Sequence, residues 1–418
     1  MTEGWKTQRL GDLATVGAGN SAPQEKALFT DGTTPFFRTS DVGRIRFGDI
    51  STAADLLNDR GAHGLRRFPS GTILFPKSGA STFLNHRVMM QVDGCVSSHL
   101  ATITAKPEYV KPRFLLYFLA TVQAQDMVQD HAYPSLNLPL ISNIKVPTPS
   151  LPEQLRIVAL LDESFEAIAT AKANAVKNLQ NARDLFASRM QDLFEQDETW
   201  ERVQLAELLA RGWITSHLDG NHGSEYPRKE EFVDAGVPYI AASAIKDGTV
   251  DFDEAKYLSP QRAGRIRKGL AKDRDVLFAH NATVGPVAIL RTDEDFVILG
   301  TSLTYYRCDP QHVHPEYLAH FMVSPAFTSQ YTQVMKQSTR NQVPITKQRE
   351  FVHVIPPIDV QRSVAKDLDD LATQTTRLID IYTRKLAALD ELKQSLLHQA
   401  FTGALTARTA DQQLAAAA

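Results

Sequence analysis

The chain has 418 residues, of which 43% are hydrophobic and 22% are charged, with a formal net charge of −3 and only two cysteines, Cys95 and Cys308. This composition excludes a disulfide framework and a fibrous or disordered chain, and any surface for nucleic acid has to be local because the net charge is slightly negative. The first residues lack the apolar core of a signal peptide, and no stretch approaches the ~20 apolar residues of a membrane span, so we expect a cytoplasmic protein.

Residues 1–149 are predicted to form a globular α+β domain. Short runs rich in Val, Ile, Thr and Phe alternate with Gly, Asp and Asn, a pattern typical of strands joined by turns. Pro112 begins a stretch in which Phe114, Leu115, Phe118 and Leu119 have helical spacing. This spacing predicts a helix late in the domain.

A long helix is predicted over residues 150–199, after a proline-rich stretch at 146–152. Apolar residues recur there at steps of three and four or their sums: Val158, Leu161, Phe165, Ile168, Ala175, Leu179, Ala182, Phe186 and Leu193. A narrow stripe that repeats near every 3.5 residues is typical of a coiled-coil seam. At ~1.5 Å per residue the helix would be about 65 Å long, too long for the inside of one ordinary domain.

The second half of the chain repeats the plan of the first. Trp200-Glu-Arg-Val-Gln-Leu follows the pattern of Trp5-Lys-Thr-Gln-Arg-Leu, and further matches keep the same order, which indicates a tandem duplication. We therefore predict a second α+β domain over 200–355, a second long helix over 356–406, and a disordered tail over 407–418. The seam of the second helix would consist of Val364, Leu368, Leu371, Thr375, Leu378, Tyr382, Leu386, Leu389, Leu392 and Leu396.

With its halves aligned, the chain resembles the specificity (S) subunit of type I restriction–modification systems. The resemblance lies in the two-fold plan and in phrases such as Gly71-Thr-Ile-Leu-Phe-Pro-Lys-Ser-Gly, Val146-Pro-Thr-Pro-Ser-Leu-Pro and Leu392-Lys-Gln-Ser-Leu-Leu-His-Gln-Ala-Phe. It implies an α+β fold in which two tandem-duplicated target-recognition domains are separated by two long antiparallel coiled-coil helices.

The resemblance also implies a function. The chain would be a non-catalytic subunit for sequence-specific DNA recognition, each globular domain would read one half of a bipartite asymmetric site, and the helices would set the spacer and dock two methyltransferase subunits. The assembled complex would be a DNA adenine methyltransferase and, with restriction subunits, an ATP-dependent endonuclease. The cofactors S-adenosylmethionine, ATP and Mg would belong to these partners and none to this chain. A protein-binding scaffold with no DNA contact is the alternative.

Two kinds of residue are candidate DNA contacts. Cations that precede a Leu-Phe strand in each half suit phosphate contacts: Arg66, Arg67, Arg265, Arg267, Lys268 and Lys272. Polar residues in the following turns suit base contacts, because Arg pairs with guanine and Asn or Gln with adenine. They are Lys77, Ser78, Asn85, His86, Arg87, Tyr133, Ser135 and Asn137, and then His280, Asn281, Thr283, Ser338, Thr339, Arg340, Asn341 and Gln342. Without the resemblance, the same residues are more typical of solubilising surface and ordinary turns than of DNA contacts.

Motifs for catalysis are weak. The sequence contains neither a Gly-x-x-x-x-Gly-Lys-Ser/Thr phosphate loop nor a Gly-x-Gly-x-x-Gly turn. Asp251, Glu254 and Lys256 resemble the acidic and basic set of a nuclease, but a polar turn at the surface explains them as well. His312 and His314 have no third metal ligand nearby in the sequence. We therefore expect neither a catalytic residue nor a metal site in this chain.

Overall fold

A computed structural model of the protein describes residues 5–128, 130–132, 134–195, 199–220, 226–337 and 341–405. They divide into two compact units, which we call unit 1 (Met1–Ala175 with Arg384–Ala418) and unit 2 (Val176–Thr383). The predicted tail 407–418 lies outside the described residues. No helix in the described part of the chain is long and apolar enough to cross a membrane.

The secondary structure of unit 1 begins in short strands and ends in a long helix. The strands are β1 Lys6–Arg9, β2 Ala14–Ala18, β3 Thr34–Phe37, β4 Phe47–Ile50, β5 Asp55–Leu57, β6 Arg67–Phe68, β7 Ile73–Pro76, β8 Arg87–Met90, β9 Gly94–Val96, β10 Leu100–Ala105 and β11 Lys145–Thr148. The helices are α1 Leu10–Leu13, α2 Thr39–Ile45, α3 Asp59–Ala62, α4 Pro112–Thr121, α5 Leu138–Ser142 and α6 Leu151–Glu195, the last of which continues into unit 2.

Unit 2 has a similar series of elements. Its strands are β12 Glu201–Gln204, β13 Ile214–Asp219, β14 Phe232–Val233, β15 Val237–Ile240, β16 Ile245–Lys246, β17 Thr249–Val250, β18 Lys256–Leu258, β19 Leu270–Ala271, β20 Val276–Ala279, β21 Val287–Ile289, β22 Val297–Leu299, β23 Leu303–Cys308 and β24 Val352–Ile355. Its helices are α7 Leu205–Ala210, α8 Pro260–Ala263, α9 Pro315–Val323, α10 Pro325–Lys336, α11 Ile345–Gln348 and α12 Ile358–Thr402, the last of which continues into unit 1.

The two units share their sheet topology except at the edges, where β4 belongs to the first sheet of unit 1 alone and β14 to the second sheet of unit 2 alone. In unit 1 the sheet order is β2-β10-β7-β8-β4, next to a sheet β5-β3-β9-β6 and a pair β1-β11. In unit 2 the corresponding orders are β13-β23-β20-β21, β14-β18-β15-β22-β19 and β12-β24. Even the parallel pairing of β3 with β9 has its counterpart in the parallel pairing of β15 with β22. The predicted α+β class and the repeated plan are confirmed.

Burial explains why the apolar runs form central strands. All four residues of β7 and of β20 are buried, because each strand lies between two neighbours in its sheet and is covered on both faces. Helix α4 then packs on the sheet of unit 1 and buries Phe114, Leu115 and Phe118. Its first residue is Pro112, which is tolerated there because that position needs no hydrogen bond from its backbone nitrogen.

The long helices lie antiparallel within unit 1. Leu161 of α6 belongs to the same core cluster as Leu397 of α12, and further along α6 the side chain of Lys172 forms an ion pair with Asp390. Residue numbers therefore rise along one helix as they fall along the other, as predicted. In the seam, Leu378 and Leu392 are 37% and 46% exposed, contrary to prediction.

Candidate nucleic-acid interface

In unit 1 a backbone bridge joins two of the polar turns that the sequence singled out. Ser78, just after β7, forms an isolated antiparallel bridge with Ser135, just before α5. The amide of Leu136 donates to the carbonyl of Lys77 at 2.7 Å, and the amide of Gly79 donates to the carbonyl of Pro134 at 2.9 Å. Lys77 and Ser78 are half-buried while Ser135 is exposed, so the bridge holds polar side chains at the surface.

Unit 2 contains the same bridge at the same place in its topology. Asn281, after β20, pairs with Gln342, before α11. The amide of Val343 donates to the carbonyl of His280 at 2.8 Å, and the amide of Ala282 donates to the carbonyl of Asn341 at 2.9 Å. Sequence reasoning therefore identified both sides of a bridge that the fold builds twice, with different side chains in the two units.

A chain of hydrogen bonds connects the bridge of unit 1 with its basic residues. The side chain of Asn20 accepts from the amide of Arg66 at 2.9 Å and donates to its carbonyl at 2.9 Å. The carbonyl of Asn20 accepts from the amide of Ser98, and the neighbouring His99 is bonded through Nδ1 to Oγ of Ser78 at 2.9 Å. Arg66 and the bridge thus belong to one continuous polar surface.

Asn20 and the exposed His99 were missed by the sequence reasoning. His99 follows two serines and Asn20 precedes one, a pattern too common to mark a site, and each residue is brought to the bridge only by pairing between distant strands. The closest signal in the sequence is that Cys95-Val-Ser-Ser-His-Leu follows the pattern of Leu299-Gly-Thr-Ser-Leu-Thr in the second half, which marks that stretch as part of the repeat but not as part of a site.

The predicted phosphate-binding cations lie on the surface. Arg66, Arg67, Arg265, Arg267, Lys268 and Lys272 are all exposed. Among the described residues, Arg265, Arg267 and Lys268 have no ion pair or hydrogen bond through their side chains. The backbone around Gly269, at a φ of 68°, turns the chain there from this cluster into β19. Three unpaired cations next to one another are free to bind phosphate oxygens.

The predicted base contact by Arg87 has to be corrected, because the side chain is fully buried at 0% exposure. Its guanidinium carbon lies 3.4 Å from the ring centroid of Phe75, and Nη1 donates to the carbonyl of His86 at 2.7 Å. Burial lowers the pKa of Arg87 to about 9. A group in this position supports the sheet from inside and cannot reach a base.

The predicted base contact by His280 has to be corrected for the same reason. Its side chain is 2% exposed, and Nδ1 lies 3.1 Å from the carbonyl of Val343. His280 therefore supports the bridge from the interior of unit 2, through hydrogen bonds of its backbone carbonyl and its ring with Val343. Asn281 and the exposed Thr283 remain candidates for DNA contact.

Two asparagines have structural partners. The Oδ1 atom of Asn137 accepts from the amide of Leu140 at 2.8 Å and so caps α5. Asn85, in the left-handed region at a φ of 51°, accepts from the amide of Ala124 at 2.8 Å and donates to Gln123 at 2.7 Å. The side chain of Asn85 therefore forms its hydrogen bonds within unit 1. Asn137 is exposed, and its side-chain nitrogen can donate to another partner.

The remaining predicted residues fall into two groups. His86 is half-buried, and burial followed by the charges of Arg46 and Arg87 lowers its pKa, so it stays a neutral hydrogen-bonding candidate near neutral pH. Tyr133, Ser338, Thr339 and Arg340 lie outside the described residues.

The residues with a weak resemblance to catalytic or metal-binding sets have partners of their own. The ammonium group of Lys246 bridges Asp251 at 2.8 Å and Glu254 at 3.1 Å, an ion-pair arrangement at the surface that accounts for both carboxylates. His312 contacts Asp309 at 2.8 Å and stacks on Trp213. The part of the chain that the structure describes holds no group of three or more His, Cys, Asp or Glu residues arranged for a metal ion.

Comparisons with known proteins point to one family. Residues 2–178 match the family model described as type I restriction modification DNA specificity domain. The chain is 20% identical to the type I restriction enzyme EcoBI specificity subunit of Escherichia coli, over 89% of this chain and 81% of that protein. It is 18% identical to the MjaVIII specificity subunit of Methanocaldococcus jannaschii, over 96% of this chain and 93% of that protein.

Solved structures have the same fold. One, described as the structural basis underlying complex assembly and conformational transition of the type I R-M system, has a TM-score of 0.73 at 19% identity and covers 96% of this chain and 98% of its own. The crystal structure of the HsdS subunit from Thermoanaerobacter tengcongensis has a TM-score of 0.65 at 18% identity, with the same coverage.

Proposed function

We propose that this chain is a specificity subunit of a type I restriction–modification system, which its similarity to that family supports, and that unit 1 and unit 2 each read one half of a bipartite DNA sequence. As a specificity subunit the chain would be the non-catalytic, DNA-recognising component of its complex. The scaffold without DNA contact, the alternative interpretation of the sequence, is not favoured.

One observation carries the assignment of the reading surface. The bridges Ser78–Ser135 and Asn281–Gln342 occupy the same topological place in the two units, yet they present different side chains. A repeated scaffold that carries different polar groups is suited to reading two different half-sites, because hydrogen-bonding groups at base edges specify sequence. We therefore propose an asymmetric target rather than a palindrome.

The exposed cations would supply affinity. Arg66 is joined to the bridge of unit 1 through Asn20, so a phosphate contact by Arg66 would place the bridge next to the bases of the same DNA segment. In unit 2 the same role falls to Arg265, Arg267 and Lys268, just before β19. Contacts to phosphate carry no sequence information, and they position the groups that do.

The long helices would set the distance between the half-sites and dock the partner subunits. α6 and α12 are continuous helices of 45 residues each, and each contributes to both units. We propose two methyltransferase subunits as partners, with S-adenosylmethionine bound by them, and restriction subunits with ATP and Mg as a further association. Because host DNA is the substrate of such a complex, we propose the cytoplasm as its location.

The test is to co-express the chain with the methyltransferase encoded beside it and to sequence the host DNA for modified bases. We expect one split motif with two unlike halves. Exchange of residues 1–149 for those of a relative should change one half and leave the other intact. A complex that assembles and binds its methyl donor, yet modifies no motif, would contradict the proposal.

Removal of two helical turns from both α6 and α12 gives a second test. We expect a shorter spacer and unchanged half-sites, because the reading surfaces lie outside these helices. A change in either half-site would contradict the proposed role of the helices.

A further inference from the structure

Gln348, the last residue of α11, lies at the centre of a hydrogen-bond network buried in unit 2. Its side chain is 0% exposed. The oxygen Oε1 lies 3.0 Å from Oγ1 of Thr304, 3.1 Å from the hydroxyl of Tyr306 and 3.1 Å from Nε2 of His217. The three partners come from β13 and β23, so one amide oxygen connects α11 to two strands of the sheet.

The nitrogen of the same amide points to the bridge. Nε2 of Gln348 donates to the carbonyl of Val343 at 3.2 Å, and Val343 directly follows Gln342 of the bridge. The amide of Val343 in turn donates to the carbonyl of His280 at 2.8 Å, beside Asn281 on the other side of the bridge. The position of the bridge relative to the sheet is therefore set by hydrogen bonds with defined directions.

Unit 1 holds its bridge in a different way. Alignment of the two units by strand register and by helices α5 and α11 shows which residues of unit 1 occupy the positions of the network. Val16 corresponds to His217, Ala101 to Thr304, Ile103 to Tyr306, and Ile141 to Gln348. All four counterparts are apolar and belong to, or pack against, one core cluster. The polar network is thus a property of unit 2, within a framework that folds without it in unit 1.

We propose that Gln348 is a positioning residue for the DNA-reading surface of unit 2 and so determines how strictly that unit discriminates its half-site. The proposal rests on the proposed function. Apolar packing resists displacement weakly along the packed surface, whereas hydrogen bonds from one planar amide constrain both distance and angle. Gln342 and Asn281 can discriminate a base only if they are held at hydrogen-bonding geometry.

The experiment uses the assembled complex with Gln348→Met, which keeps the length of the side chain and removes all of its hydrogen bonds. The measured quantity is the modification of host sites that differ from the motif by one base, scored separately for each half-site. We expect discrimination to fall about tenfold in one half-site only, the value of one base-specific contact. That half-site should be the one that changes when residues 200–355 are exchanged.

Gln361→Met is the matched control. Gln361 is also a glutamine of unit 2 at 0% exposure, but its hydrogen bonds join α12 to the backbone around His312 and Pro356 rather than to the bridge. It should lower the unfolding midpoint without relaxing either half-site. Tyr306→Phe, which removes one donor to Gln348 and keeps the ring, gives a second and milder variant if Gln348→Met does not fold.

The outcomes separate the two proposals. If the wild-type complex modifies no bipartite motif, the proposed function fails before the variants are compared. If the wild type reads a bipartite motif but the folded variants discriminate as it does, the positioning role is overturned. Relaxation of both half-sites, or equal relaxation in Gln361→Met, would also overturn it, because general destabilisation would then explain the effect.

Discussion

Gln154 and Gln361 make the same three hydrogen bonds at the start of the two long helices. Gln154 donates to the carbonyls of Tyr109 and Pro149 at 3.1 and 3.0 Å, and its oxygen accepts from the amide of Lys111 at 2.8 Å. Gln361 donates to the carbonyls of His312 and Pro356 at 2.9 and 2.8 Å and accepts from the amide of His314 at 2.9 Å. Each glutamine fastens a long helix to the segment before α4 or α9.

This relationship predicts a large loss of stability. Gln361→Leu should lower the free energy of unfolding by about 3 kcal/mol, because three backbone groups in buried or part-buried hydrogen bonds lose their partner and each costs about 1 kcal/mol or more. Gln154→Leu should do the same. Urea unfolding measures the change, with the exposed Gln394→Ala as the control that stays within about 0.5 kcal/mol of the wild type. Losses as small as those of the control would show that the helix start is held by other contacts.

The cations of unit 2 predict a dependence on salt. Replacement of Arg265, Arg267 and Lys268 by Ala should weaken DNA binding by the complex and reduce the log–log salt slope by about 0.9 for each phosphate that no longer binds a cation. The control is Arg291→Ala, which removes an exposed cation whose partner is Glu316 at 2.5 Å. An unchanged slope in the triple variant would place the DNA elsewhere on unit 2.

We expect that replacement of Arg87 does not change DNA affinity. Since its guanidinium is buried over Phe75, Arg87→Met should leave DNA affinity within about twofold of the wild type, whereas Arg66→Ala should lower it because it removes a charge-assisted hydrogen bond to phosphate. The counterpart of Arg87 in unit 2 is Val287, so the fold accommodates an apolar residue there. A large loss of affinity in a folded Arg87→Met complex would mean that unit 1 rearranges on binding DNA.

Two buried histidines predict acid sensitivity of unit 2. Burial lowers the pKa of His217 and of His353 to about 4, below the ordinary value of 6.5. Below pH 6.5 these histidines bind protons in the unfolded chain but stay neutral in the folded chain. The free energy of unfolding is therefore highest above pH 6.5 and falls towards pH 4 by up to roughly 3 kcal/mol per histidine.

Urea unfolding at a series of pH values between these limits measures the effect. The variant His353→Val introduces the residue that unit 1 has at the matching position, Val146, and its stability should depend less steeply on pH. A wild-type profile that is flat from pH 7 to pH 4.5 would contradict the prediction.

The helices and the repeat were predictable because their signals are local. The steps of three and four from Val158 to Leu193 predicted α6, and the echo of Trp5 in Trp200 predicted a second copy. The exposure of Arg265, Arg267 and Lys268 was also predictable, since clustered charged residues are rarely buried. At Leu378 and Leu392 the seam prediction was wrong, because periodicity identifies the apolar face of a helix but not which part of that face packs against another element.

The amino-acid sequence by itself determined the class of the fold, the duplication, the long helices and the family resemblance, all of which depend on neighbours in the chain or on the order of motifs. Only the tertiary structure decided which polar residues share a surface: it joined Ser78 to Ser135, brought His99 to them, and buried Arg87 and His280. The physical reason is that these relationships depend on strand register and packing between residues far apart in the chain, where a shift of one position turns a side chain from the surface to the core.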